Sequence, residues 1–77
     1  MSLNNLAVML SELGRREEAL KAAEEAADLY RALAATRPEA FTRNFGISLN
    51  TLSDILSQLG RQQEAAALRE EIARVRR

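Results

Sequence analysis

Cysteine and histidine are both missing from the 77 residues of this chain. Without cysteine there is no disulfide framework and no thiolate nucleophile, and without histidine the usual general base and the commonest metal ligand are gone. The glycines, which are Gly14, Gly46 and Gly60, stand too far apart to form a phosphate-binding loop. These absences predict a protein that is not an enzyme and that binds no metal or cofactor.

Charge and hydropathy give no support to a nucleic acid or a membrane as the partner. The 11 basic and 11 acidic residues cancel, so attraction to a polyanion has no global support. The basic run 74–77 contains no aromatic residue, and we interpret it as a helix C-terminus that complements the helix dipole. No apolar run approaches the roughly 18 residues that cross a bilayer, and no basic-then-apolar secretory leader is present. We therefore expect a cytoplasmic protein.

The chain is rich in Ala, Leu, Glu and Arg, which favour helices, and it repeats itself. Residues 2–31 and 48–77 share 15 identities in 30 aligned positions, including an S-L-N opening and an L-G-R-x-x-E-A block. Chance similarity between two Ala- and Leu-rich helices does not easily supply both blocks in one alignment. We interpret the chain as a duplication in which Ser48 stands 46 residues after Ser2.

Leucines spaced three and four residues apart predict one apolar helix face in each repeat, and we expect both faces to lie in the core. They are Leu3, Leu6, Leu10 and Leu13 in the first repeat and Leu49, Leu52, Leu56 and Leu59 in the second. Gly14 and Gly60 follow at once, as is typical of a left-handed residue that ends a helix. Pro38 predicts that the next, alanine-rich helix ends near Thr36. The third helix then begins either with Pro38 as its first residue or after Thr42 as a cap.

The sequence therefore predicts an all-α fold, in which two tandem helix-turn-helix hairpins form an α-solenoid segment. We assign residues 1–77 to one domain. Repeat one comprises residues 2–37, with helices at about 2–13 and 15–36. Repeat two comprises residues 38–77, with helices at about 42–59 and 61–76, and residue 39 is the alternative start of the third helix.

The order helix, glycine, helix is found twice, with Pro38 after the first copy, and it resembles tetratricopeptide (TPR) repeat proteins. The resemblance is closest to the long kinesin-light-chain-like repeats of bacterial arrays. It rests on the opening S-L-N-N-L-A of residues 2–7, the central G-R-R-E-E-A of residues 14–19, and Pro38. The 46-residue period is longer than the standard TPR period of about 34. The resemblance implies a protein–protein interaction module that binds a partner peptide or helix in a concave groove.

The resemblance also implies that a polar stripe beside the leucines faces this groove. It comprises Asn4, Val8 and Ser11 in the first repeat and Asn50, Asp54 and Ser57 in the second. An asparagine both donates and accepts hydrogen bonds, so a row of them suits the backbone of an extended peptide. The pattern is equally compatible with asparagines that tie helices together or meet water. Arg43 is placed at the groove rim, where it would meet an acidic ligand.

The number of repeats predicts apolar surface at both ends of the stack. Two repeats are fewer than the roughly three that usually bury a continuous core, and neither end carries an obvious polar capping helix. Arg69 stands where the first repeat has Ala23, which suggests that the last helix faces solvent or a missing neighbour. We therefore expect either a homodimer or higher oligomer, or an excerpt of a longer array. The alternative function is accordingly a structural self-assembly element.

Overall fold

The computed structural model describes residues 2–75, and over that range it contains four helices and no strand. They are α1 (Leu3–Glu12), α2 (Arg16–Thr36), α3 (Pro38–Gln58) and α4 (Gln62–Val75). Each helix packs against the next one along the chain, and α1 also contacts α3. The predicted all-α helical-repeat fold is confirmed. The predicted end of the last helix at residue 76 and the arginines at 76 and 77 lie outside the described residues.

The turns inside the two hairpins are built in the same way by equivalent residues. Gly14 and Gly60 have φ angles of +80° and +79°, in the left-handed region that the sequence predicts. The Arg15 N–H then reaches back and donates to the Leu10 carbonyl oxygen at 2.9 Å, and the equivalent bond in the second repeat is 2.8 Å. This pattern satisfies backbone carbonyls that a helix end would otherwise leave unpaired. The duplicated sequence therefore folds into a duplicated corner.

Arg37 alone separates α2 from α3, so the third helix begins at Pro38. Pro38 occupies the first helical position, where a backbone N–H would have no helical partner in any case and where the fixed φ of proline suits the helix. The Phe41 N–H donates to the Arg37 carbonyl oxygen at 3.1 Å and closes the first turn. Thr42 therefore lies inside α3 and does not cap it. The predicted start near residue 42 is corrected to Pro38.

The two helices of each hairpin carry small buried side chains at matching positions. Ala7 on α1 and Ala19 on α2 have no exposed surface. At the equivalent positions of the second hairpin, Ala65 has no exposed surface and Ser53 is 2% exposed. The Ser53 hydroxyl donates to the Ala65 carbonyl oxygen at 3.5 Å, so the polar group that replaces Ala7 has a partner. Small side chains at these positions allow the helix axes to approach closely.

The leucine face is buried in the second repeat and not in the first. Leu49, Leu52 and Leu56 are 0%, 8% and 4% exposed, because α3 lies between α2 and α4. Leu6 is 36% exposed and Leu13 is 68% exposed. Among the described residues, α1 packs only against α2 and α3, and nothing covers its outer side. The expectation that both leucine faces form the core is therefore wrong for Leu6 and Leu13, whereas Leu10 is partly buried against the core.

Arg31 links α2 to both helices of the second repeat. One of its guanidinium nitrogens donates to the two carboxylate oxygens of Glu71 on α4, at 3.1 and 3.2 Å. The guanidinium carbon lies 5.3 Å from the centroid of the Phe45 ring on α3. A half-exposed ion pair contributes about 0–1 kcal/mol, and a cation–π contact at such a site contributes about 0.5–1 kcal/mol. Arg31 therefore adds a modest bond across the junction between the repeats.

The replacement Gly60→Ala is expected to lower the free energy of unfolding by about 1–2 kcal/mol, because a Cβ atom disfavours the left-handed backbone. The matched control is Gly46→Ala inside α3. A Cβ atom at Gly46 would meet no other atom within 4 Å, so this replacement is expected to stabilise the fold by up to about 1 kcal/mol. Urea unfolding followed by far-ultraviolet circular dichroism measures both. Shifts of the same sign in the two variants would contradict the account.

Candidate functional site

Several of the predicted site residues meet in a cleft of about 210 Å³ between α1 and α3, named the α1–α3 cleft below. Val8 and Ser11 line it from α1, and Asp54 lines it from α3. The Ser11 hydroxyl donates to Oε1 of Gln58 at 2.7 Å and so joins the two helices. The other lining residues are Glu12, Thr51 and Ile55. The first helices of the two repeats thus contribute to one surface.

The α1–α3 cleft offers hydrogen-bond acceptors and some apolar surface. Glu12 and Asp54 are both exposed, and within residues 2–75 neither of them forms an ion pair. No lysine or arginine lines this cleft among the described residues. Val8 is 38% exposed and supplies an apolar contact. Carboxylates accept hydrogen bonds from cationic side chains and from backbone N–H groups, so both kinds of donor suit the cleft.

Arg43 and Asn50 lie in a second, larger cleft of about 610 Å³, named the N-terminal α3 cleft below. It runs along the first half of α3, and Val75 of α4 borders it. Asn50 and Asp54 are one helical turn apart on the exposed face of α3, so the two clefts follow the same helix face. From Arg43 to Asp54 this face is roughly 16 Å long at the α-helical rise per residue.

The structure separates the remaining predicted residues from these clefts. The Ser57 hydroxyl accepts a hydrogen bond from Nη2 of Arg69 at 3.0 Å, so Ser57 helps to join α3 to α4. Asn4 is half-buried, and its Oδ1 is a buried atom with no hydrogen-bond partner among the described residues. Its equivalent, Asn50, is exposed. The two asparagines therefore have different surroundings, and they do not form one matched pair.

Four residues of the α1–α3 cleft were not predicted from the sequence: the buried Ile55 and the polar residues Glu12, Thr51 and Gln58. Thr51 and Gln58 are seven residues apart and flank Asp54, so they lie on the same helix face as Asp54. Glu12 and Gln58 are equivalent positions in the two repeats. The polar stripe that the sequence predicts lies beside the leucine face. These polar residues continue it on the side away from the leucines, and that continuation is the signal that could have identified them.

The two clefts are lined by both polar and apolar side chains. Within the part of the chain that the structure describes, no three acidic side chains are grouped so that they could hold a metal ion. Over the same residues, none of the helices is long and apolar enough to cross a bilayer. The clefts combine a few exposed apolar groups with amide, hydroxyl and carboxylate groups, which can make apolar contacts and hydrogen bonds.

Residues 1–35, which comprise α1 and nearly all of α2, match the family model described as tetratricopeptide repeat. The first hairpin is therefore similar to a TPR repeat. TPR repeats generally mediate protein–protein interaction. The second hairpin has the same corner and the same order of helices, so the described chain is a pair of TPR-like hairpins. No curated protein and no solved structure matches the chain.

The replacement Asn4→Ala is expected to leave the free energy of unfolding unchanged to within about 0.5 kcal/mol, or to raise it. The reason is that the replacement removes a buried carbonyl oxygen that lacks a partner, and an unsatisfied buried polar group is costly. Asn50→Ala is the control, since Asn50 is exposed and its loss is expected to be neutral. Chemical unfolding of both variants measures this. A loss above about 1.5 kcal/mol for Asn4→Ala alone would show that its amide makes a structural hydrogen bond.

Proposed function

We propose that this chain is a protein–protein interaction module whose α1–α3 cleft binds a peptide or a helix of a partner. The observation that carries the proposal is that Val8 and Ser11 of α1 share one cleft with Asp54 of α3. The first helices of neighbouring repeats thus present one binding surface. The TPR match over residues 1–35 supports the functional class, because TPR repeats generally mediate protein–protein interaction.

The bound segment would follow the exposed face of α3 from the α1–α3 cleft to the N-terminal α3 cleft. Asn50 lies between Asp54 and Arg43 along this path and is exposed, so its amide is free to bond a peptide backbone. The roughly 16 Å from Arg43 to Asp54 corresponds to about five residues of an extended peptide. A short linear motif therefore fits the length of this face.

The charges on this face predict the polarity of the ligand. Glu12 and Asp54 supply carboxylates at one end, and Arg43 supplies the guanidinium at the other end, where Glu39 adds one carboxylate. A peptide with a lysine or arginine at the Asp54 end and an acidic residue at the Arg43 end would pair with both groups. We propose a ligand of this pattern, with backbone contacts to Asn50 between its two charged residues.

We further propose that the repeats are of the long kinesin-light-chain-like type and that the protein acts in the cytoplasm. The support for the first point is the S-L-N-N-L-A opening together with the 46-residue period. The second point rests on the expectation drawn from the sequence. The proposed partner is a protein, and neither a nucleic acid nor a membrane is part of the proposal.

A phage-displayed library of random peptides, selected on the immobilised chain, tests the proposed function. The selected peptides are expected to contain one basic and one acidic residue about five positions apart, in either order. Fluorescence anisotropy with a synthetic copy of the selected peptide then gives a dissociation constant. Asp54→Arg is expected to weaken binding at least tenfold, because it places like charge opposite the basic residue of the peptide.

The control variant is Gln63→Arg, which introduces an arginine on the exposed first turn of α4, outside both clefts. It is expected to change the dissociation constant less than twofold. Binding that is weakened equally by Gln63→Arg and Asp54→Arg would place the ligand elsewhere on the protein. Failure of the library to yield any peptide with this charge pattern would also contradict the proposal.

A further inference from the structure

The equivalent leucine faces of the two repeats have different surroundings. Glu24 of α2 shares a cleft with leucines of α3 and with residues of α4; the residues of the second repeat that line it include Leu52, Leu56 and Ala67. The equivalent cleft of the first repeat, of about 310 Å³, is lined by Leu6, Leu10 and Lys21 among others. In the second repeat α2 covers the leucines of α3. Within residues 2–75 no helix covers the leucines of α1 in the same way. We name Leu6, Leu10 and Lys21 of this face, together with Glu12, the α1 surface; Glu12 lines the α1–α3 cleft and is included because its equivalent, Gln58, lies at the internal junction.

The side of α2 that covers the leucine face of α3 carries small side chains. This side includes Ala23 and Ala27, which are 0% and 2% exposed. In α4 the equivalent positions carry Arg69 and Ala73, and both are exposed. Glu70 is the equivalent of Glu24. We name this exposed side of α4, with Ala66, Arg69, Glu70 and Ala73, the α4 surface.

Three neutral residues at the junction between the two repeats have charged equivalents on the outer surfaces. The neutral residues are Ala23, Gln58 and Ala67. Their equivalents on the outer surfaces are Arg69 on the α4 surface and Glu12 and Lys21 on the α1 surface. With Glu70 added, these positions give the α4 surface one cation and one anion, and they give the α1 surface one of each. Glu18, which is paired with Arg15, and Glu25 also line the cleft on the α1 side. At the compared positions the two surfaces therefore have complementary charges.

We propose that a second copy of this chain docks its α1 surface on the α4 surface, in the position that a third repeat would take. The second copy is placed by the same rotation and translation that carries the first hairpin onto the second. Each contact across the internal junction then has an equivalent contact between the two copies. The hydrogen bond from Ser11 to Gln58, for example, becomes one from Ser57 to Glu12 of the second copy.

Two opposite-charge contacts follow from this placement. Nη2 of Arg69 is 3.0 Å from the Ser57 hydroxyl, so Glu12 of the second copy arrives beside a guanidinium group. Glu24 shares its cleft with Ala67, so the equivalent Glu70 arrives beside Lys21 of the second copy. Within residues 2–75 these four charged side chains form no ion pair in the single chain. This complementarity selects a copy of the same chain over an unrelated helix.

The proposed contact joins two different surfaces, so it does not close on itself. A contact of this kind continues from copy to copy and forms an open superhelix. The junction between copies would repeat the α1–α3 cleft, with α3 of one copy beside α1 of the next. Self-association would thereby extend the surface formed by the two clefts of one chain onto the next copy.

Sedimentation equilibrium over a dilution series of the purified chain tests the proposal. The average mass is expected to rise continuously with concentration and to pass the mass of a dimer. Salt is expected to weaken the association, because the charged pairs are exposed to screening. Leu6→Glu blocks the α1 surface and Arg69→Glu blocks the α4 surface, and each variant alone is expected to stay a monomer. An equimolar mixture of the two is expected to form a one-to-one dimer that grows no further, since each variant keeps one intact surface.

Gln63→Glu is the matched control, since it adds one negative charge at an exposed position of α4 whose equivalent, Glu17, is exposed as well. This variant is expected to associate like the original chain. Far-ultraviolet circular dichroism establishes that each variant is folded, and Lys21→Glu serves as a second block of the α1 surface in case Leu6→Glu unfolds. A chain that stays monomeric at all concentrations would overturn the proposal. So would a mixture of the two blocked variants that forms no dimer.

Discussion

Burial of the leucine face of α3 between α2 and α4 is the interaction on which the rest of the structure depends. Complete burial of one leucine side chain is worth about 1.5–3 kcal/mol, and Leu49, Leu52 and Leu56 are all nearly or fully buried there. The outer leucines of α1 stay partly exposed, because one of their two potential neighbouring helices is missing from the described chain. In a chain of this size, the difference in burial between the leucines of α3 and those of α1 corresponds to a large share of the total free energy of unfolding.

The same two-sided packing determines which side chains are left for function. When α3 buries its leucines against α2 and α4, its opposite face turns to solvent and carries Arg43, Asn50 and Asp54. The α1–α3 contact then brings Val8 and Ser11 beside this face. The candidate site is therefore a consequence of how two repeats stack, and a single hairpin would contain only one wall of it. The proposed stacking of copies would extend the same relation beyond one chain.

The sequence predicted the features that depend on local spacing, and it failed where the answer depends on a neighbouring helix. The leucine spacing and the position of Gly14 and Gly60 specify the helices and their corners, because these are set within a few residues. The exposure of Leu6 and the bond between Ser57 and Arg69 depend on whether another helix lies alongside, which no local pattern records. The choice between Pro38 and residue 42 as the start of α3 remained open because both residues carry helix-start signals.

Native-state hydrogen exchange, at a concentration where the chain is a monomer, tests the central role of α3 most directly. Amide exchange reports the free energy of local opening for each helix. Amides between Leu49 and Leu56 are expected to exchange only through global unfolding, whereas amides between Ala7 and Leu10 are expected to exchange at least tenfold faster. Equal protection of the two segments would contradict the account, since it would mean that α1 is held as firmly with a helix on one side as α3 is with helices on both.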